Sequence, residues 1–166
     1  MTKFYHGQLT CIKDLDVSAP EYWAVLTNWV GVMDWLPEDF KKRPAPVTAC
    51  VLAAGQSATD VPLTRVVTLQ IPGEAPQLLR ETLIHKDDES HYLRYIIEGI
   101  GPGGMRNYLA QQWLDPLDST RVRVTLSGRF DVSEEMALRS SEDFLRNVYE
   151  VLIPGMGDVA KRRRKT

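Results

Sequence analysis

Cysteine is scarce in this sequence of 166 residues, and it has no long apolar run. Cys11 and Cys50 lie far apart, and no Cys-x-x-Cys or Cys/His cluster occurs, so neither a disulfide framework nor a zinc site is indicated. No segment has the apolar length needed to span a membrane, and the charged N-terminal stretch does not resemble a signal peptide. We therefore expect a reduced, cytoplasmic protein.

The sequence also has little net charge, but its charges are unevenly distributed. It contains 20 basic and 22 acidic residues, for a formal charge of -2. Five of the basic residues lie between Lys161 and Lys165, so the rest of the chain carries 15 against 22, a net of -7. Phosphate binding relies on distributed Lys and Arg, so we expect no nucleic-acid partner. Residues 161–166 are predicted to be a basic, disordered tail; contact with an acidic partner or a membrane surface is the weaker alternative.

Residues 1–160 are predicted to form a single domain, because no linker or internal repeat divides them. Ser18-Ala-Pro-Glu21 is typical of a helix start, since Ser18 and Glu21 can form a capping box and Pro20 suits the first turn. A second short helical turn is predicted over residues 32–36. The stretch 37–46 holds three prolines and is predicted to be a surface loop.

Most of the remaining chain is predicted to be β-structure. Strands are predicted over residues 3–13, 47–53, 63–71, 77–86, 91–99, 106–115 and 120–132, and short turns between most of them indicate an antiparallel meander. A last helix begins at Ser133 or Ser140 and carries an apolar stripe; Pro154 is expected to kink or end it. One sheet buries both itself and such a helix only by curling around it, which predicts an α+β fold.

Short motifs occur in a fixed order along the chain. They are Ser18-Ala-Pro-Glu21, Trp35-Leu-Pro37, Arg65-Val-Val-Thr-Leu69, Glu81-Thr-Leu83, Tyr95-Ile-Ile-Glu-Gly99, Asn107-Tyr108, Thr120 to Phe130, and Phe144 to Glu150. Together they resemble the START-like, helix-grip (SRPBCC) superfamily, in particular its polyketide cyclase/dehydrase and lipid-transport branch.

This resemblance implies a curved seven-stranded antiparallel sheet wrapped around a long C-terminal helix, with two short helices after strand 1. It also implies a deep cavity for a hydrophobic ligand. Two features depart from the family. Pro154-Gly155 interrupts the terminal helix, and Leu126 stands where many relatives carry Trp.

Alternation along the predicted strands identifies the side chains that face this cavity. A turn centred on Gly73 places Arg65 directly opposite Glu81, both facing inward. As a functional pair, they would orient a carbonyl or carboxylate and supply an acid/base group. The alternative is a structural ion pair that satisfies two otherwise costly buried charges.

Further candidates share the inward faces. Tyr108 is a candidate for polarising a carbonyl, and His85 is a second candidate base, with an exposed strand-end histidine as its alternative. The candidate ligand-binding residues are Trp35, Tyr95, Gln112, Leu126, Phe130, Phe144 and Val148. Internal hydrogen bonds are the alternative for Tyr95, Tyr108 and Gln112. The spacing of these residues does not indicate a metal site.

Two functions remain open from the sequence. The first is a cofactor-independent cyclase or dehydratase that acts on a polyketide-like or aromatic molecule, with Arg65, Glu81, Tyr108 and His85 as catalytic residues. The second is a non-catalytic carrier or sensor for a lipid, isoprenoid or aromatic ligand. The expected partner in both is a small hydrophobic or aromatic molecule, and no cofactor is expected. The sequence does not specify an oligomeric state.

Overall fold

The structure is a computed structural model that describes residues 3–41, 46–70 and 73–165. Its elements in chain order are β1 (Tyr5–Leu15), α1 (Ala19–Leu26), α2 (Val32–Trp35), α3 (Glu38–Lys41), β2 (Val47–Leu52), β3 (Leu63–Leu69), β4 (Gln77–Asp87), β5 (Tyr92–Ile97), β6 (Arg106–Pro116), β7 (Val122–Val132) and α4 (Glu135–Arg163). A single 3₁₀ turn, Pro102–Gly104, lies between β5 and β6. This order confirms the predicted strand, short helices, strand meander and long terminal helix.

The seven strands form one antiparallel sheet in the order β1-β7-β6-β5-β4-β3-β2. Strands β2 to β7 follow the chain as a meander, and β1 pairs with β7 along its whole length. The sheet curves around α4, as predicted, and the side chains between them form the apolar core. None of the described helices is long and apolar enough to cross a membrane.

The first helix begins at the capping box predicted from the sequence. Ser18 Oγ accepts a hydrogen bond from the Glu21 N–H at 3.4 Å, and Glu21 Oε2 accepts one from the Ser18 N–H at 2.8 Å. The stretch 37–46, predicted as a loop, contains the short helix α3 instead, while residues 42–45 lie outside the described part of the chain. Helix α3 follows Pro37, whose carbonyl accepts from the Phe40 N–H, and Phe40 is buried.

Pro154 was expected to kink or end helix α4; the helix continues past it to Arg163, so the proline does not end it. A proline inside a helix costs about 3 kcal/mol, because it removes one hydrogen bond and crowds the preceding turn. Ile153 and Met156 on either side are buried, and this packing holds the helix together. Gly155 permits a close approach, because a Cβ there would lie 2.5 Å from the carbonyl oxygen of Trp35.

The basic end of the chain is also part of the fold. Lys161, Arg162 and Arg163 lie in the last turn of α4, where a disordered tail was predicted. Positive side chains suit the C-terminal end of a helix, whose dipole is negative there. Arg164 then forms two hydrogen bonds with the Glu21 carboxylate, at 2.7 and 2.5 Å. The charge pattern alone predicted that this basic segment is solvated. In the structure, the Glu21 carboxylate at the start of α1 binds its Arg164 side chain.

Candidate functional site

A cavity of about 310 Å³ lies between α4 and the strands β2 to β6. Its wall is mostly apolar, with side chains from α2, α3, the five strands β2 to β6 and α4. The polar side chains that reach it are Arg65, Gln77, Glu81, Tyr95, Tyr108 and Tyr149. Small-molecule sites typically have volumes of about 300–1,000 Å³, so this cavity is at the small end of the range.

The predicted pairing of Arg65 with Glu81 is confirmed. The two residues lie opposite each other in β3 and β4, and both side chains are largely buried. Arg65 Nε donates to Glu81 Oε2 at 2.6 Å, and Arg65 Nη2 lies 2.5 Å from the same oxygen. Glu81 Oε1 has no hydrogen-bond partner among the described residues. The arginine therefore holds the carboxylate through one oxygen.

Trp29 completes the surroundings of Arg65 and was not among the predicted site residues. Its carbonyl accepts a hydrogen bond from Arg65 Nη1 at 2.9 Å. Its ring centroid lies 3.9 Å from the guanidinium carbon, a cation–π contact, and 5.4 Å from the ring centroid of Tyr95 in an edge-on arrangement. The sequence could have indicated a further partner for Arg65, because a buried arginine needs more hydrogen-bond acceptors than one carboxylate supplies.

Three tyrosines lie together on the cavity wall. The hydroxyl oxygens of Tyr108 and Tyr149 are 2.5 Å apart, and the ring of Tyr95 packs against that of Tyr108 with 6.0 Å between ring centroids. Burial raises the pKa of Tyr95 to about 12 and the pKa values of Tyr108 and Tyr149 well above the usual range. All three are therefore neutral phenols at physiological pH, which can donate hydrogen bonds but do not serve as phenolate bases.

Tyr149 was also not predicted as a site residue, although helical spacing could have identified it. It lies four residues after Leu145 in α4, so the two side chains share a face of the helix. Both line the cavity. The Tyr149 hydroxyl lies directly over Gly128 in β7, where a Cβ would overlap it.

His85 does not face the cavity, in contrast to the prediction. In the pairing of β4 with β5, Leu83 lies opposite Tyr95 but His85 lies opposite Arg94, so one extra residue is inserted at a β-bulge. Because Tyr95 and Arg94 point to opposite faces of the sheet, the bulge turns His85 onto the outer face. There its ring packs against Tyr92, with 5.8 Å between ring centroids.

The predicted ligand-binding residues fall into two groups. Trp35, Tyr95, Phe144 and Val148 line the cavity. The other three, Gln112, Leu126 and Phe130, are buried but do not belong to the described lining.

The reason is that helix α1 fills the neighbouring part of the concave face. Gln112 Nε2 donates to the hydroxyl of Tyr22 on α1 at 3.2 Å, which is the internal hydrogen bond considered as its alternative. Leu126 lies opposite Gln112 in the sheet, so it packs in the same filled region. Phe130 lies over Gly7 of β1, where a Cβ would overlap its ring. These residues therefore contribute to the core.

The arrangement supports acid/base chemistry on an apolar molecule. It combines a carboxylate with one free oxygen, neutral hydroxyl donors and an apolar wall. Such a site can accept a proton at Glu81 while a phenol polarises an oxygen of the ligand. Across the described residues, no group of three His, Cys, Asp or Glu side chains is placed to hold a metal ion.

Comparisons with known proteins identify the fold. No family model and no curated protein matches the sequence. Solved structures do match over nearly the whole chain. Norcoclaurine synthase from Thalictrum flavum is 17% identical over 99% of both chains, with a TM-score of 0.73. The ZhuI aromatase/cyclase from Streptomyces sp. R1128 is 13% identical over 96% of both chains, with a TM-score of 0.74. The chain has a helix-grip fold.

A protein from Thermobifida fusca, solved by NMR in solution, matches equally well, at 20% identity over 93% of both chains and a TM-score of 0.73. Structures of norcoclaurine synthase include complexes with a transition-state analogue and with dopamine and hydroxybenzaldehyde. Identities this low establish likeness of fold alone. Since one fold serves many functions, the function of this helix-grip chain has to be argued from its own site.

Proposed function

We propose that this chain binds a small hydrophobic or aromatic, polyketide-like molecule in the cavity and acts on it as a cofactor-independent cyclase or dehydratase. The observation that carries the proposal is the free Oε1 atom of Glu81 on the wall of an apolar cavity that also holds neutral phenol donors. The aromatase/cyclase and the aromatic complexes among the structural relatives support a ligand of this class. The cavity volume favours a molecule of one or two rings.

In the proposed reaction, a phenol on the cavity wall, Tyr108 or Tyr95, donates a hydrogen bond to a ligand carbonyl oxygen. Glu81 Oε1 removes a proton from the carbon next to that carbonyl, which gives an enolate. The enolate carbon attacks a second carbonyl of the same molecule, and Glu81 returns its proton to the new alkoxide. Loss of a further proton and the hydroxide as water then forms the double bond of the ring.

Arg65 acts as a positioning residue in this scheme. It was predicted to polarise a carbonyl, but its guanidinium donates to Glu81 Oε2 and to the Trp29 carbonyl. These contacts fix the direction of the free oxygen. Preorganisation of this kind is a major source of enzymatic rate enhancement. His85 takes no part, because it lies on the outer face of the sheet.

The first half of the reaction can be tested without knowing the natural substrate. Exchange of the α-protons of 2-tetralone, an enolisable two-ring ketone, is followed by NMR in deuterated water. We expect the wild-type chain to accelerate exchange and Glu81→Gln to lower the rate by about 100-fold or more, the usual contribution of a general base. Tyr108→Phe should lower it less. His85→Ala is the matched control and should leave it unchanged. Equal rates for wild type and Glu81→Gln would refute the catalytic assignment.

A non-catalytic carrier or sensor remains the second candidate function. It is favoured by one observation, that the Tyr108–Tyr149 hydroxyl pair and the Arg65–Glu81 pair satisfy much of their hydrogen bonding within the protein. Native mass spectrometry separates the two functions. A co-purified hydrophobic molecule that is recovered chemically unaltered, together with no exchange activity, would favour carriage.

A further inference from the structure

The two charged side chains on the cavity wall neutralise each other. Arg65 and Glu81 are the basic and acidic residues among the described lining, and each guanidinium nitrogen contacts either Glu81 Oε2 or the Trp29 carbonyl oxygen. One face of the guanidinium is covered by the Trp29 ring. The cation is therefore engaged within the protein, and the charged atom left without a partner is Glu81 Oε1.

This arrangement disfavours an anionic ligand. A carboxylate that entered the cavity would lose its hydration without gaining an unpaired cation, and burial of an uncompensated charge is strongly unfavourable. It would also approach a second negative charge at Glu81 Oε1. A neutral ligand meets neither cost, and a hydroxyl group on it can donate to the free oxygen.

The tyrosines supply the complementary donor. The neutral hydroxyl groups of Tyr108 and Tyr149 carry two protons and share one hydrogen bond. One proton of this pair is therefore left to donate to a ligand. The wall thus presents one strong acceptor and one donor, which suits a ligand with a hydroxyl group and a second oxygen able to accept.

We infer that the cavity selects neutral, hydroxyl-bearing aromatic molecules, such as phenols and enolised ketones, and rejects carboxylates of the same size. The inference rests on the proposed function, because it assumes that this cavity is the ligand site. It differs from the expectation from the sequence, in which the Arg65–Glu81 pair orients a carbonyl or carboxylate, because it excludes the carboxylate.

The test compares 2-naphthol with 2-naphthoate by isothermal titration calorimetry at neutral pH. The two probes share the same rings but differ in charge. For the wild-type chain, we expect the naphthol to bind at least about tenfold more tightly, a difference readily resolved by dissociation constants. In Glu81→Gln the Arg65 charge loses its partner, so the preference should shift toward the naphthoate by about tenfold or more. Glu98→Gln is the matched control, since it breaks the exposed Arg80–Glu98 pair on the same sheet; it should leave the ratio unchanged.

The outcomes separate the two proposals. Equal or tighter binding of 2-naphthoate by the wild type would overturn the charge selection while leaving a ligand cavity in place. Failure of both probes to bind would overturn the charge selection and the ligand site together. Discrimination without any exchange of 2-tetralone would support the charge selection and contradict only catalysis. The wild-type ratio does not depend on whether Glu81→Gln folds.

Discussion

Gly128 lies in β7 beneath the hydroxyl pair of Tyr108 and Tyr149, and its replacement by alanine should disrupt that pair. A Cβ at this position would overlap the Tyr149 hydroxyl oxygen and lie 3.3 Å from that of Tyr108. Both tyrosines are almost fully buried, at 3% and 1% exposure, so the Tyr149 ring has little room to move away. The Gly128→Ala variant tests whether the hydroxyl pair depends on this glycine.

The expected loss of stability has two parts. Overpacking of a well-filled core costs about 1–3 kcal/mol, and loss of a buried hydrogen bond costs about 1 kcal/mol. We therefore expect Gly128→Ala to lower the free energy of unfolding by about 2–4 kcal/mol. For a chain of this length, 1 kcal/mol corresponds to about 2–4 °C in Tm. Urea denaturation and thermal melts followed by circular dichroism measure both quantities.

A second substitution isolates the cause. Tyr149→Phe removes the overlapping oxygen, so alanine at position 128 should then cost only about 1 kcal/mol. The double-mutant cycle should show a coupling of about 1–3 kcal/mol between the two positions. Gly101→Ala is the matched control, because its Cβ would have ordinary contacts of 3.4 Å or more and its φ of -83° suits alanine. Costs that simply add in the double variant would refute the reasoning.

Three further predictions follow from other contacts. Hydrogen bonds from Arg164 and Ser18 lower the pKa of Glu21 to about 2 from an ordinary value of 4.5, so its contribution to stability is present above pH 4.5 and is lost as pH falls toward 2. The stability difference between wild type and Glu21→Gln should shrink over that range in urea titrations, and a constant difference would contradict this. Burial raises the pKa of Tyr95 from 10.0 to about 12, so stability should fall as pH rises from 10 toward 12 and fall less in Tyr95→Phe. His85→Ala should leave the dissociation constant of 2-naphthol unchanged, and a marked loss of affinity would place His85 at the cavity after all.

The sheet and its register could be predicted because they depend on local patterns. Alternation along each strand identified the inward faces, and the turn around Gly73 was enough to place Arg65 opposite Glu81. The capping box at Ser18 was equally local. The face of His85 could not be predicted in this way, because a β-bulge reverses the alternation without a clear mark in the sequence.

Partners distant in sequence account for the other differences. The hydrogen bond of Gln112 goes to Tyr22, 90 positions away, and Arg164 pairs with Glu21, 143 positions away. Neither partner follows from the pattern around the residue itself. Pro154 is tolerated for a similar reason, since burial of the neighbouring residues outweighs the local cost of a proline in a helix.

The sequence by itself determined the α+β architecture, the inward strand faces up to the bulge before His85, and the opposition of Arg65 and Glu81, since periodicity and turn position are properties of neighbouring residues. Only the tertiary structure decided which inward residues meet the cavity. Helix α1 fills one part of the concave face and leaves the other open, so Tyr95, Tyr108 and Tyr149 line the cavity while Gln112 joins the core. That division depends on how separate elements pack together, and side-chain packing is not encoded in the alternation of any single strand.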